Sequence, residues 1–371
     1  MRKQRVAIFL PSLDGGGAER VMVTLANAIA ARGFTVDMVV AAARGPYLKE
    51  LSPAVRLVDL RAERVVSALM PLIRYLCSER PVAMLSAMSH ANTIALVARG
   101  LSGVSTRVVV SERGTISGEY KLAKGVIPHL IYKLLPAIYR TADGICTVSE
   151  GASLDLAKFA RIPVHKISTI YNPFDLKLIE NRAQQPLVHP WFLTGQPPVI
   201  MAIGRLNEAK DFPVLIRAFS RLRESHTARL LILGEGEMRP SLEEQVAECG
   251  LSQDELQMPG FVDNPYAYLA RCALFVLSSR REGLPGSLIE AMACGTPVIS
   301  TDCPSGPVEI LEKGRWGPLV SVGDEQGLAE AMAAMLDTPR DQLPDVRQRA
   351  KDFDQERAVE AYLNILRVQC Q

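Results

Sequence analysis

Two glutamates eight residues apart mark the stretch of this sequence best suited to chemistry. They lie in Ser278-Ser279-Arg280-Arg281-Glu282-Gly283-Leu284-Pro285-Gly286-Ser287-Leu288-Ile289-Glu290. Glu282 falls on a Gly/Pro loop after the apolar run ALFVLS (273–278), and Glu290 in the first turn of a short helix. The N-terminus of that helix offers backbone N–H groups and partial positive charge, which suit a phosphate. Carboxylates on either side can accept hydrogen bonds from the hydroxyls of a polyol. Each also has a purely structural reading: Ser287-x-x-Glu290 spells a capping box, and Glu282 can be a solvated loop residue.

Two cations join them. Arg205 and Lys210 flank the loop between the strand VIMAIG (199–204) and a helix expected to start with Asp211 as its N-cap. A cation at a helix N-terminus opposes the dipole by about 0.3 kcal/mol or more, so an anion such as a diphosphate between the two would explain them. The plain alternative has both pointing to solvent. Two glycine turns follow strands as well. Asp14-Gly15-Gly16-Gly17-Ala18-Glu19-Arg20 can bring N–H groups to an anion, or form a tight turn with Asp14 near the N-cap. Gly234-Glu235-Gly236 is two-thirds of a dinucleotide fingerprint, with Arg239 where the third glycine belongs, which weakens a hydride-transfer reading.

The elements that position these residues alternate along the chain. VAIFL, FTVDMVV, VRLVDL, VAML, RVVVS, GICTVS and KISTI alternate with helical patterns in the first half; ARLLILG, LQMPGF, ALFVLS and PVIST follow VIMAIG in the second. Near-continuous apolar strands between helices imply parallel sheets covered on both faces. The expected fold class is α/β, with two doubly wound domains facing each other across a cleft. The Pro- and Asn-rich segment 172–198 reads as a linker or domain edge. We expect domains at 1–185 and 186–350, and a C-terminal helix at 351–371 that packs back toward the first.

Composition narrows the classes. The chain has 371 residues, 48% hydrophobic and 22% charged, with a net charge of +2, as for a globular two-domain protein. Through Arg182 there are 24 basic against 14 acidic residues, and the remainder is acidic, so the first half is suited to anions. No run approaches the ~18 apolar residues of a spanning helix. The apolar run near the N-terminus is short of the roughly 7–15 residues of a signal peptide. Seven cysteines without a C-x-x-C spacing indicate neither a disulfide framework nor a zinc site. Asp352-Phe353-Asp354 precedes an amphipathic helix and reads as an N-cap at Asp354 rather than a metal site.

The segment EGLPGSLIEAMACGTPVIST, preceded by AIGRLNEAKDFPVLIRAF and GEGEMRPSL, closely resembles the retaining glycosyltransferases of family 4, which have the GT-B fold. DGGGAERV and MPGFVDN are similar to that family too, and the resemblance is densest over 199–323. It implies transfer of a sugar with retention, by a same-face displacement assisted by the leaving group, without a metal or other cofactor. Glu282 would bind the donor sugar's hydroxyls and Glu290 the ribose. Arg205 and Lys210 would hold the diphosphate, with the backbone of Gly283, Leu284, Pro285, Gly286 and Ser287. Phe261 and Val262 would border the base, while Gly204 and Gly234 line the donor site and Gly16 and Gly17 face it from the other domain. Many relatives have a histidine after the fifth strand; Arg113 stands there in VVVSERGT, and His90 after VAML is a second cleft candidate. TDCPSGPVEIL (301–311) most resembles members using UDP-linked hexoses or N-acetylhexosamines on lipid-linked glycans, including those that build bacterial polysaccharide.

The expected partners are a nucleotide sugar, a polyprenyl-diphosphate-linked glycan acceptor and an anionic membrane surface, with no nucleic acid. Peripheral attachment to the inner face of the cell membrane would run through Lys121 and Lys124, beside a helix near 126–140 whose apolar stripe is expected to be core. Competing readings are a sugar-nucleotide epimerase on the same scaffold, an inactive binding subunit and a Rossmann oxidoreductase.

Overall fold

The structure is a computed structural model describing residues 4–14, 16–123 and 125–369, with side chains described at all of these except 126–128. It divides into two compact units, 1–174 with 354–371, and 175–353.

The first unit begins β1 (Arg5–Leu10), α1 (Gly17–Ala31), β2 (Thr35–Val40), β3 (Val55–Asp59), α2 (Leu69–Glu79), β4 (Ala83–Ala87) and α3 (Ser89–Ser102). It continues β5 (Arg107–Glu112), α4 (Ile116–Leu122), α5 (Val126–Tyr139), β6 (Gly144–Thr147), α6 (Glu150–Ala160) and β7 (Ile167–Thr169). The second unit runs α7 (Leu176–Ala183), β8 (Val199–Ile203), α8 (Phe212–Arg223), β9 (Arg229–Leu233), α9 (Arg239–Glu248), β10 (Leu256–Gly260) and α10 (Pro265–Leu269). Then come β11 (Leu274–Leu277), α11 (Gly286–Ala293), β12 (Val298–Thr301), α12 (Pro307–Ile310), β13 (Leu319–Val320), α13 (Glu325–Asp337) and α14 (Arg347–Ala350). The closing helix α15 (Gln355–Leu366) returns to the first unit.

Every strand pairing is parallel, in the orders β3-β2-β1-β4-β5-β6-β7 and β10-β9-β8-β11-β12-β13. Both faces of each sheet are covered, so the strands are apolar at successive residues. In β1, Val6, Ile8 and Leu10 meet Met22, Leu25 and Ile29 of α1, while Ala7 and Phe9 share the opposite core with Leu72 and Leu76 of α2. In the second unit Ile200, Ala202 and Ile232 pack with Leu215 and Phe219 of α8 and Met332 of α13. Each such buried Val, Leu, Ile, Phe or Met side chain stabilises its unit by roughly 1.5–3 kcal/mol relative to exposure.

The first division falls at 174/175 rather than 185/186. Residues read as linker form α7, held to the second unit by Asn264 Nδ2 donating to Arg182 O (2.9 Å) and Arg271 Nη1 donating to Ala183 O (3.0 Å). Further along, Trp191 is buried under the Arg229 guanidinium, 5.1 Å from its ring centre. Asp175 at the N-cap and the aromatic residues around Trp191 turn this Pro-rich stretch into a packed strap. The second crossing falls at 353/354, where Phe174 and Asp354 form a parallel bridge and α15 buries Val359, Tyr362 and Leu366 in the core of the first sheet.

Candidate active site

Each sheet has one place where the winding reverses: between β1 and β4 in the first, and between β8 and β11 in the second. Ligands of doubly wound sheets bind beyond the strand C-termini at such points. Gly16 and His90 follow β1 and β4, and the two halves of the cation–carboxylate motif follow β8 and β11.

In the second unit Lys210 Nζ donates to Glu282 Oε1 at 2.5 Å, and Ser279 Oγ donates to the same oxygen at 2.7 Å. Both charged side chains are largely shielded, 20% and 12% exposed. The lysine stem lies across Gly204, where a Cβ would come within 2.9 Å of Lys210 Cε. Gly204 is thus the absence of a side chain that lets Lys210 reach Glu282. Ser278 Oγ donates to Lys210 O (2.8 Å), stitching the two loops together.

Arg205 is exposed and pairs with Glu237 at 3.3 Å. Each cation therefore has a carboxylate of the chain itself as partner, where the sequence suggested an anion shared between the two. A ligand diphosphate would add to, or exchange with, these contacts.

Asp211 immediately precedes α8, but its side chain makes no cap bond. Its backbone is left-handed (φ 50, ψ 42), and its buried carboxylate takes a two-point bond from Arg280. The capping-box reading of Ser287 and Glu290 also fails, because α11 starts two residues earlier than that box requires, with Pro285 at its N-cap and no side-chain cap bond. Glu290 Oε1 instead accepts from the buried Tyr266 hydroxyl at 3.1 Å. The loop Gly283–Ser287 leads into α11, whose first residues are Gly286 and Ser287, while Leu284 and Pro285 are buried. It is backed by Ser305, whose hydroxyl donates to Gly283 O (3.0 Å), and by Gly306, where a Cβ would fall 2.6 Å from Pro285 Cδ.

Gly234 and Gly236 make the β9 exit pass flush against the β8 loop: Leu206 N–H donates to Glu235 O at 2.9 Å, and Gly234 N–H to Gly260 O at 2.8 Å. Past Gly260, Phe261 is 83% exposed, an aromatic face open to stacking, with Val262 partly buried behind it.

In the first unit, Asp14 does not cap α1; its carboxylate accepts from Ser12 (2.7 Å) and Arg44 (3.1 Å), and Gly16 is the N-cap. Glu19 folds back over Gly16, where a Cβ would fall 2.4 Å from Glu19 Oε2. The anion position offered at this helix start is thus held by a carboxylate of the chain, and burial raises the Glu19 pKa above its ordinary value. Gly17 has open space around its Cα. Arg113 bonds Asn172 Oδ1 (2.5 Å) and the Tyr362 hydroxyl (3.2 Å), joining the β5 exit to α15. His90 reaches solvent at the start of α3, and desolvation by the surrounding protein lowers its pKa.

Behind His90 lies a buried acid pair that sequence patterns did not single out. Glu112, at the end of β5, accepts from Asn92 Nδ2 (2.9 Å), Ser89 Oγ (3.0 Å) and the Tyr139 hydroxyl. The Ser89 hydroxyl also meets Glu119, which accepts from the Tyr132 hydroxyl at 3.1 Å. One hydroxyl proton cannot serve two carboxylates, so the pair retains a proton of its own. Burial first, then the Glu119 charge, raises the Glu112 pKa; burial raises that of Glu119. A raised carboxyl pKa means the folded state binds more protons, so stability falls as pH rises from the ordinary value of 4.5 through the folded value. Glu112→Gln mimics the protonated acid, and its melting temperature should therefore fall less than that of the wild type between pH 6 and pH 9. Parallel slopes in thermal melts across that range would refute the retained proton.

At the C-terminal D-x-D, Asp352 accepts from Arg349 Nη1 (2.9 Å), and Asp354 caps α15 by accepting from Glu356 N (2.9 Å).

At the switch point of the second sheet, a shielded lysine–glutamate pair lies beside a helix N-terminus. Residues 15–178 match the family described as Glycosyltransferase Family 4, and residues 197–338 that described as Glycosyl transferases group 1. Over 363 residues the chain is 31% identical to the N-acetylgalactosamine-N,N'-diacetylbacillosaminyl-diphospho-undecaprenol 4-alpha-N-acetylgalactosaminyltransferase of Campylobacter jejuni, covering 95% of this chain and 96% of that one. Among solved structures, Anabaena HepE in complex with UDP and glucose is similar with a TM-score of 0.80 at 18% identity, covering 98% of this chain and 99% of that one. Sucrose-phosphate synthase from Thermosynechococcus elongatus gives 0.81 at 20% identity, covering 98% of each chain. The chain belongs to glycosyltransferase family 4 and has the GT-B fold.

Proposed function

We propose that this glycosyltransferase moves a hexose or N-acetylhexosamine, with retention, from a UDP-linked donor to a lipid-linked glycan in bacterial glycan assembly. The observation that carries this is the Lys210–Glu282 pair beside the start of α11, at the switch point of the second sheet. Lys210, Arg205 and the N–H groups of Gly286 and Ser287 meet the charge that grows on the departing diphosphate. Glu282 takes the sugar hydroxyls, Glu290 the ribose, and Phe261 with Val262 the base. Of the relatives, HepE binds UDP and glucose, and the Campylobacter enzyme acts on a diphospho-undecaprenol-linked glycan, which supports the choice of donor and acceptor class. The epimerase reading draws no support from relatives of this kind.

The test is a panel of UDP-hexoses and UDP-N-acetylhexosamines, with undecaprenyl-diphosphate-linked glycans as acceptors and UDP release as readout. Release that depends on acceptor and persists in EDTA is expected. Free sugar formed without acceptor, or loss in EDTA restored by magnesium, would overturn the acceptor or the metal-independent reading.

The proposed membrane contact would use a separate surface of the first unit. Lys124 lies outside the described residues. Lys121 and Lys133 are exposed, beside Leu122, Leu130 and Leu134, each at least half exposed, whereas Leu135 and Tyr139 of the same stripe are core. Among the described residues no helix is long and apolar enough to cross a membrane. A basic rim around exposed leucines suits the interface of an anionic membrane at its cytoplasmic face. Co-sedimentation with anionic vesicles that weakens with salt is the expected result; equal binding to neutral vesicles would count against it.

A further inference from the structure

We propose that the ion pair between Arg280 and Asp211 is a positioning device for Lys210, and that Arg280 and Asp211 act on the donor's diphosphate only through that lysine. This rests on Lys210 being a diphosphate ligand, as in the proposed function.

Asp211 holds a left-handed backbone (φ 50, ψ 42) in which glycine is the unstrained choice, so an aspartate there has to be held in place. Its carboxylate is 2% exposed, and both oxygens are taken by one guanidinium, Arg280 Nε to Oδ2 at 2.7 Å and Nη2 to Oδ1 at 3.1 Å. Such a two-point bond fixes direction as well as distance. Arg280 N–H donates to Ala209 O at 2.8 Å, and Ser278 Oγ to Lys210 O at 2.8 Å. The backbone on both sides of the Lys210 side chain is thereby tied to the loop that carries Glu282. The left-handed turn at Asp211 sets how the loop bearing Lys210 enters α8, and from that loop the Lys210 stem runs across Gly204 onto Glu282.

The charges agree with this geometry. Two salt bridges link the two loops, Lys210 with Glu282 and Arg280 with Asp211. Without Arg280, the Asp211 carboxylate would be a buried charge with its salt-bridge partner gone, one position from Lys210. Arg280 neutralises it and leaves Lys210 to Glu282 and the ligand. The Arg280 side chain is 49% exposed, so its placement is not a requirement of core packing.

The test is UDP binding by calorimetry, and turnover by UDP release, in a double-mutant cycle of Arg280→Ala with Lys210→Ala. Arg280→Ala alone should weaken UDP binding about tenfold, as for loss of a charge-assisted contact. In the Lys210→Ala background the same change should move it less than about twofold, because a residue acting through another adds nothing once that residue is gone. Equal losses in the two backgrounds, or none in either, would overturn the positioning role. Unchanged UDP binding and turnover in Lys210→Ala would instead overturn the reading of Lys210, and this proposal with it. Since Arg280→Ala leaves a buried carboxylate unpaired, the double variant Arg280→Ala/Asp211→Gly controls for folding: it removes both charges and suits the left-handed turn. It should melt near the wild type and still bind UDP more weakly; wild-type binding by this variant would equally overturn the proposal.

Discussion

Lys210→Ala is expected to lower turnover by about a hundredfold or more while shifting the melting temperature by only a few degrees. The ammonium sits 2.5 Å from Glu282 and is mostly shielded from water, so its charge acts at short range on whatever occupies the space beside α11. Charge that develops on a leaving diphosphate is stabilised most by donors already in place, which puts the loss on kcat. Glu282 would keep only the Ser279 hydroxyl among the two donors seen on its Oε1, and its freed negative charge would then repel the diphosphate. Lys210→Arg should not restore the rate, because a planar guanidinium cannot follow the lysine stem across Gly204. Gly204→Ala supplies an independent check: its Cβ would displace the flexible end of Lys210, so turnover should drop with the fold intact. Initial rates at saturating donor, with thermal melts of the same preparations, decide the matter. Wild-type kcat in Lys210→Ala would remove this lysine from the mechanism.

Much of this site was legible because it depends on residue types at strand ends. Apolar runs such as VIMAIG and ALFVLS, alternating with helical patterns, read as buried parallel strands, and the loops after them sit at the ligand-binding edge of the sheet. Residues whose role is set by backbone conformation were not legible. Asp211 reads as an N-cap from its type and place, yet its left-handed φ turns the carboxylate to Arg280, 69 positions away. The same holds for Glu290, where the local capping pattern lost to a hydroxyl from α10. The acid pair of Glu112 and Glu119 was silent for a different reason: its members come from β5 and α4, and Ser89, which joins them, from α3. The Pro-rich stretch 172–198 does hold the division between the units, at 174/175, but its packing was not legible, because Pro and Asn report turns whereas the packing depends on Trp191 and the α7 contacts.

Gly234→Ala is the second large effect, expected to destabilise the second unit by about 3 kcal/mol or more and to weaken UDP binding as a consequence. Gly234 has φ +138, a region L side chains rarely adopt, and a Cβ there would fall 2.0 Å from Gly204 O and 2.9 Å from Gly204 C. Those are backbone atoms, so no rotamer change relieves the overlap. They are also fixed, since Gly204 N–H donates to Leu233 O at 3.0 Å and Gly234 N–H to Gly260 O. The added methyl must either break these bonds or push the Gly204–Lys210 loop away from Glu282, and either outcome reaches the proposed donor site. Gly236 is under the same constraint, with Leu206 O 2.3 Å from its would-be Cβ. The Gly-Glu-Gly turn thus reflects two loops in close contact, a demand that holds with or without a phosphate nearby. A fall of roughly 6–12 °C in the melting temperature is the expected readout for a unit of this size. Gly17→Ala is the contrast: nothing lies within 4 Å of its Cβ at the first residue of α1, and it should melt at or slightly above the wild type. If Gly234→Ala melted with Gly17→Ala, the two loops would be free to part, and the close approach of β8 and β9 exits would not be what holds Lys210 in place.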